Sequence, residues 1–153
     1  MKFENSWKQK TLEALENSIW EKPEFDSNLV ITCHKLRKKK LKDFSSGDLR
    51  IMIGQNFSLK YLIPLAIEDL EKDILVDGGF YQGDLLKVVL TSDVDYWKKN
   101  HSHWKTICNL FHKNLNKIKD YCYQNHCKNE WIDDFEKFVT VNSEKEILNA
   151  NET

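Results

Sequence analysis

Between Trp104 and Cys122 the apolar residues Trp104, Ile107, Cys108, Phe111, Leu115, Ile118 and Cys122 follow one another in steps of three and four. That spacing keeps to one face of an α-helix for about five turns, and it does not suit a strand, whose faces alternate at every residue. A helix with so long an apolar stripe must be covered by other elements. Gly and Pro number only five and two among 153 residues, too few for the many turns of an all-β domain. The expected fold class is therefore all-α: a single-domain bundle of about seven or eight helices over residues 1–141, with 142–153 as a frayed tail.

Shorter stripes supply the other helices. Leu12, Leu15 and Ile19 are spaced for one face, before Pro23 stops the pattern. Asp26 or Ser27 can cap a second helix with Leu29, Val30, Cys33 and Leu36 inside. Ser45 and Asp48 have capping-box spacing ahead of Leu49, Met52 and Ile53. Ser58 is placed to cap a fourth helix carrying Leu59, Leu62, Ile63, Ala66, Ile67 and Leu70. Pro64 inside it lacks the amide for a bond to the Lys60 carbonyl, so a kink or a delayed start is expected. Leu85, Leu86, Val89 and Leu90 mark a fifth helix, and Ser92 is expected to cap a sixth holding Val94 and Trp97. Trp131, Phe135, Phe138 and Val139 mark the last.

Two polar interruptions separate these stripes. Gly54, Gln55 and Asn56 lie in a stretch without charge from Ile51 to Leu59, in a chain that is 31% charged. Gly is a poor helix-interior residue and Asn tolerates the left-handed conformation that ends helices, so the segment reads as a helix end and turn. Gln55 is assigned a structural role: if buried, its amide must pair with backbone groups at the adjoining helix ends, and Gln is rarely a binding hot spot. The second interruption, Asp77 to Asp84, reads DGGFYQGD and is the clearest loop, with three glycines among aromatics and acids.

Chemistry is sparse. GGFYQG lacks the Lys-Ser/Thr and the preceding strand of a phosphate-binding loop, and no spacing assembles a Ser-His-Asp triad. Cys122, His126 and Cys127, with His101, His103 and His112 upstream, lack the tight paired spacing of zinc ligands. No catalytic residue, metal or cofactor is expected. The formal net charge of −1 gives no global pull toward nucleic acid or a membrane surface. MKFENSWKQK has no apolar run of signal-peptide length, and nothing approaches the ~20 apolar residues of a membrane span. A cytoplasmic protein with Cys33, Cys108, Cys122 and Cys127 as thiols is expected.

Charge is nevertheless arranged in blocks. Lys35 to Lys42 holds six basic residues and no acid. Glu68 to Asp95 holds eight acids against Lys72 and Lys87, a net −6, and Tyr96 to Lys119 holds six lysines and no acid. Acids beside the aromatics Phe80 and Tyr81 are what a binder of a basic protein would present.

The stretch FDSNLVITCHKLRKKKLKDFSSGDLRIMIGQNFSLKYLIPLAIEDLEKD, Phe25 to Asp73, followed by GGFYQGDLLKVVL, Gly78 to Leu90, closely resembles the contact-dependent growth inhibition immunity proteins. The resemblance runs from about Leu12 to Trp104 and rests on the LR-IGQN-YLIPLA core. Gly79 and Gln82 depart from the family pattern, which has Asp and Pro there. The resemblance implies a cytoplasmic, non-enzymatic antidote that binds the toxic carboxy-terminal domain of a large adhesin delivered by a neighbouring bacterium. Many such toxins are nucleases, and inhibition is typically by blocking the active site.

A nuclease must approach polyanions, so its cleft tends to be basic. The toxin-binding face is therefore expected on Asp69, Asp73, Asp77, Phe80, Tyr81 and Asp84, extending to Asp93 and Asp95, with Asp84 and Asp93 also suited to helix capping. No membrane and no direct nucleic acid partner is expected. The competing class is a nucleic-acid-binding regulator using the basic run 35–42, and a third is a small metal-dependent enzyme.

Overall fold

The computed structural model describes residues 5–24, 27–128 and 130–143. Among them are nine α-helices, two short 3₁₀ turns and no strand beyond two isolated bridges. The helices are α1 (Leu12–Glu16), α2 (Asn28–Arg37), α3 (Ser46–Gly54), α4 (Leu59–Lys72), α5 (Asp84–Leu90), α6 (Val94–Lys99), α7 (His101–Lys113), α8 (Leu115–Gln124) and α9 (Glu130–Thr140). α3 packs on α4 and α5, α5 on α9, and α4 on α7. Met52 and Ile53 of α3, Leu62, Ile63 and Ala66 of α4, and Leu85, Leu86 and Val89 of α5 are fully buried together. Removing side chains of that size from water stabilises the fold by about 1.5–3 kcal/mol each. At the other end Trp97 meets Phe138 edge-on at 4.8 Å, and Phe111 stacks on Phe135 at 3.9 Å.

Local chemistry explains several helix starts. Ser27 caps α2 by accepting from the Val30 amide; Asp26, the other candidate, lies outside the described residues. Ser45 and Asp48 form the complete capping box of α3. α4 runs from Leu59 straight through Pro64, so its start is not delayed. Ser58 stands just before it, at the N-cap position, with φ +54, but its hydroxyl donates to Glu16 across the fold rather than capping.

Elsewhere the structure departs from the sequence pattern. The first stripe stops at Glu16 because Asn17 turns left-handed, and Ile19 is left exposed. The long stripe from Trp104 is divided at Asn114, whose amide side chain bonds the Leu110 carbonyl one turn back. That bond bends a helix, yet the apolar face continues through Phe111 and Ile118 on both sides, which hides the break from periodicity. Asp93, not Ser92, caps α6; Ser92 is buried and accepts from the Trp97 indole at 2.9 Å. Asn142, expected in the tail, is buried and donates to the Trp97 carbonyl, while residues 144–153 lie outside the described ones.

Gln55 is a correction of substance. It is exposed at the end of α3 rather than a buried, paired amide. Its neighbour Asn56 carries the structural role instead. Asn56 takes φ +59, and its side-chain oxygen accepts from the Asp93 amide at 2.8 Å. Among the described residues no helix is long and apolar enough to cross a membrane.

Candidate functional site

Residues 77–83, the later part of the connection from α4 to α5, form a narrow loop closed at its base by an isolated bridge between Asp77 and Gln82. Asp84, the first residue of α5, holds this loop from within. One carboxylate oxygen accepts from the Gly78 amide at 2.6 Å, and the other accepts from the amides of Phe80 at 3.0 Å and Tyr81 at 3.4 Å. Arg50 of α3 completes the clamp. Its Nε donates to the Gly78 carbonyl at 2.8 Å and lies 3.5 Å from the Asp84 carboxylate. The guanidinium also covers the Phe80 ring at 3.7 Å from its centre. A Cβ at Gly78 would stand 2.7 Å from the Asp84 carboxylate, so any larger residue there would push the carboxylate out of the clamp.

The trailing end of the loop is fixed by α9. The Trp131 indole donates to the Gly83 carbonyl at 3.1 Å. Gly83 has φ +87, and a Cβ there would meet the Trp131 ring at 2.4 Å, so backbone and packing both require glycine. Lys87 of α5 bonds Asp134 of α9 at 2.5 Å. Burial, the largest single influence, would lower its pKa, but Asp134, Glu130 and Tyr81 together hold it above the ordinary lysine value.

On this base the aromatics point outward: Phe80 is 75% exposed and Tyr81 is 47% exposed. Two surface grooves flank them. One runs between α2 and α3 and is lined by Leu29, Arg50, Ile51, Gln55 and Val88 beneath Phe80. The other lies between the loop, α8 and α9, and is lined by Tyr81, Gln82, Tyr121, Cys127 and Trp131.

The structure sorts the acids named from the sequence into different settings. Asp77 is exposed beside Phe80 and bonds the Gly79 amide. Asp73 is exposed and shares a groove with Gln82; a hydrogen bond from Lys117 holds its carboxyl below the usual aspartate range. Asp69 is half-buried and accepts from the Ser46 hydroxyl at 2.7 Å. Ser46 precedes Gly47, where a Cβ would stand 3.2 Å from the Gly78 carbonyl, so Asp69 sits near the loop base. Asp84 is buried, with its carboxylate turned to loop amides and Arg50. Asp93 and Asp95 are exposed at the start of α6, tied by Asn56 to the end of α3. The loop thus brings together Asp77, Phe80 and Tyr81, with Asp69 and Asp73 on its flank.

The family profile of CDI immunity proteins matches residues 14–107, more than half of the chain. The chain belongs to that family. No curated protein and no solved structure matches it. The match takes in Arg50, the loop and Asp84, and stops short of α8 and α9, which supply Tyr121 and Trp131. As a member of this family it is an immunity protein directed against a contact-dependent growth inhibition toxin.

Sequence reasoning missed Arg50, Leu29, Tyr121 and Trp131 as parts of this face. Arg50 lies within the LR-IGQN core that carried the resemblance, but its role depends on residues about thirty positions downstream. Trp131 looks like one more core aromatic, and only its contact with Gly83 reveals what it holds.

The basic run 35–42 of the immunity protein is less open than its composition suggests. Arg37 is buried, bonding Glu16 at 2.5 Å and the Ser18 carbonyl at 2.8 Å, with its guanidinium over Trp20. Lys39 pairs with Asp48 at 2.7 Å.

Proposed function

We propose that this immunity protein neutralises its toxin in the cytoplasm by docking the loop 77–83 on it, with Phe80 and Tyr81 as anchors and Asp77, Asp73 and Asp69 as the acidic flank. The observation that carries this reading is a pair of large exposed aromatics on a loop whose backbone is fixed from beneath by Asp84, Arg50 and Trp131. Exposing such rings has a solvation cost, and a rigid presentation spares the ordering entropy that binding would otherwise require. Asp84 acts through the loop, as a positioning residue.

The acidic flank favours a basic target. The toxin is then a nuclease whose phosphate-binding cleft the loop occludes, with Asp77 and Asp73 lying where phosphates would. Asp93 and Asp95 extend the negative rim past Gln55. Arg37 and Lys39 are engaged within the protein, which leaves the basic run less charge for a nucleic acid.

Two variants test the reading against the purified toxin domain. Phe80→Ser with Tyr81→Ser should speed dissociation and weaken binding by about 2 kcal/mol or more, as for central anchors, while the fold is kept. Asp77→Lys should slow association and flatten its dependence on salt. Cells carrying the aromatic double variant should lose protection in a growth assay. Wild-type binding rates and full protection in both variants would move the interface elsewhere.

A further inference from the structure

α8 ends in a turn of defined geometry. His126 is left-handed, with φ +52, and the Cys127 amide bonds the Cys122 carbonyl at 3.1 Å. This is a Schellman turn, and it brings the side chains at its two bonded positions together, usually as an apolar contact. α3 ends the same way: Asn56 is left-handed, the Phe57 amide bonds the Met52 carbonyl at 3.0 Å, and the facing residues are the apolar pair Met52 and Phe57. In α8 the same two positions are both cysteines.

The turn sets the two cysteines side by side, and both line one surface groove. Both border the groove lined by Tyr123 and His126, but Cys122 is buried, whereas Cys127 is half-buried and also borders the groove beside Tyr81. Cys127 is therefore the more accessible of the two to a small solute. No three His, Cys, Asp or Glu side chains converge as metal ligands among the described residues. We infer that Cys122 and Cys127 form an oxidisable dithiol, in which Cys127 attacks hydrogen peroxide first and Cys122 resolves the product to an intramolecular disulfide.

The chemistry balances. The Cys127 thiolate attacks one peroxide oxygen; an S–O bond forms as O–O breaks, and the departing hydroxide takes a proton to become water. Cys122 then loses its proton and attacks the Cys127 sulfur. An S–S bond forms, and the sulfenic hydroxyl leaves as a second water. Two electrons pass from the thiol pair to the peroxide. Burial, with the neighbouring Cys127 sulfur, pushes the Cys122 thiol up to about 12, so it rests protonated until the second step.

The pair also adjoins the candidate site. Tyr121 packs on Trp131 at 5.9 Å, and Trp131 holds the loop through Gly83. A disulfide would staple the α8 end beside that contact. The inference rests on the turn and its thiols alone and stands whether or not the loop binds toxin.

The full chain, reduced and then treated with hydrogen peroxide, tests it by alkylation under denaturing conditions and peptide mapping. Both cysteines fall in one tryptic peptide, residues 120–128. That peptide should become lighter by two hydrogens and resist alkylation, while Cys33 and Cys108 remain alkylatable. Cys122→Ser should leave Cys127 as a sulfenic acid that dimedone traps, and Cys127→Ser should leave Cys122 slow to react. The inference fails if both thiols in 120–128 still alkylate, if Cys33 or Cys108 oxidises as fast, or if Cys122 in Cys127→Ser reacts as readily as Cys127 in Cys122→Ser.

Discussion

Two short polar interruptions break the apolar helices of this protein, and they are held in different ways. Residues 55–58, just past Gly54, separate α3 from α4, and the connection from α4 to α5 carries the loop 77–83. In each, polar side chains turn to backbone amides: Asn56 bonds a single amide, that of Asp93, whereas Asp84 bonds three and Asp77 a fourth. Each also turns neighbours outward, Gln55 in the first and Phe80 with Tyr81 in the second. The difference is depth. The Asn56 bond lies at the surface, whereas Asp84 is buried against Arg50 and its loop is pinned by Trp131. A turn that serves only to reverse the chain needs one weak tie. A turn with two large exposed rings needs a buried frame, or the rings would fold back onto apolar surface.

The comparison breaks most visibly at Asp84. Asp84→Asn removes the counter-charge of a largely buried Arg50 and replaces one of two acceptor oxygens by a donor facing loop amides. Breaking such a pair costs about 3 kcal/mol or more, which for a chain of this size lowers Tm by roughly 10 °C. Thermal unfolding followed by circular dichroism measures it. Arg50→Met in the same background should add less than it does alone, because the charge it removes has already lost its partner. A loss under 1 kcal/mol with normal toxin affinity would mean that the frame is dispensable.

How far this frame can be read from the sequence depends on the range of each interaction. The capping box of Ser45 and Asp48 spans three residues and is complete in its own letters. The stripe Leu59 to Leu70 repeats a local period, and the structure buries it as expected. Asp84 is legible both as a cap and as a contact residue, because its choice is made by Arg50, 34 positions upstream. The hold of Trp131 on Gly83 spans 48 positions and leaves no local trace. Asn114 fails in the opposite direction: the local period is so regular that it conceals a helix break. The apolar flanks of Gln55 point it inward, yet the turn that Asn56 makes carries it to the surface.

Asn56 tests the shallow side of the comparison. Asn56→Ala loses the bond to the Asp93 amide and forces an alanine to φ +59, together about 1–3 kcal/mol. Asn56→Gly keeps the backbone and should recover part of that loss. Equal losses in the two variants would show that the hydrogen bond, not the left-handed backbone, sets the turn, and would make the two interruptions more alike than their depth suggests.

Gln55 carries the smallest expected effect and the sharpest discrimination. Its side chain is exposed, so Gln55→Ala should change stability by no more than about 0.5 kcal/mol. It also lines the groove beneath Phe80, with Leu29 and Ile51. If the toxin covers only the loop tip, the alanine variant binds as the wild type does. If the toxin continues into that groove, the lost amide leaves its partner group unpaired, and affinity falls about tenfold at unchanged stability. Surface plasmon resonance on wild type, Gln55→Ala and Leu29→Ala separates the two cases. A parallel loss in both variants would join the two interruptions into one binding surface: the shallow turn supplies the groove, and the framed loop supplies the anchors. Wild-type affinity in both would confine binding to the framed loop and leave the first interruption as a chain reversal only.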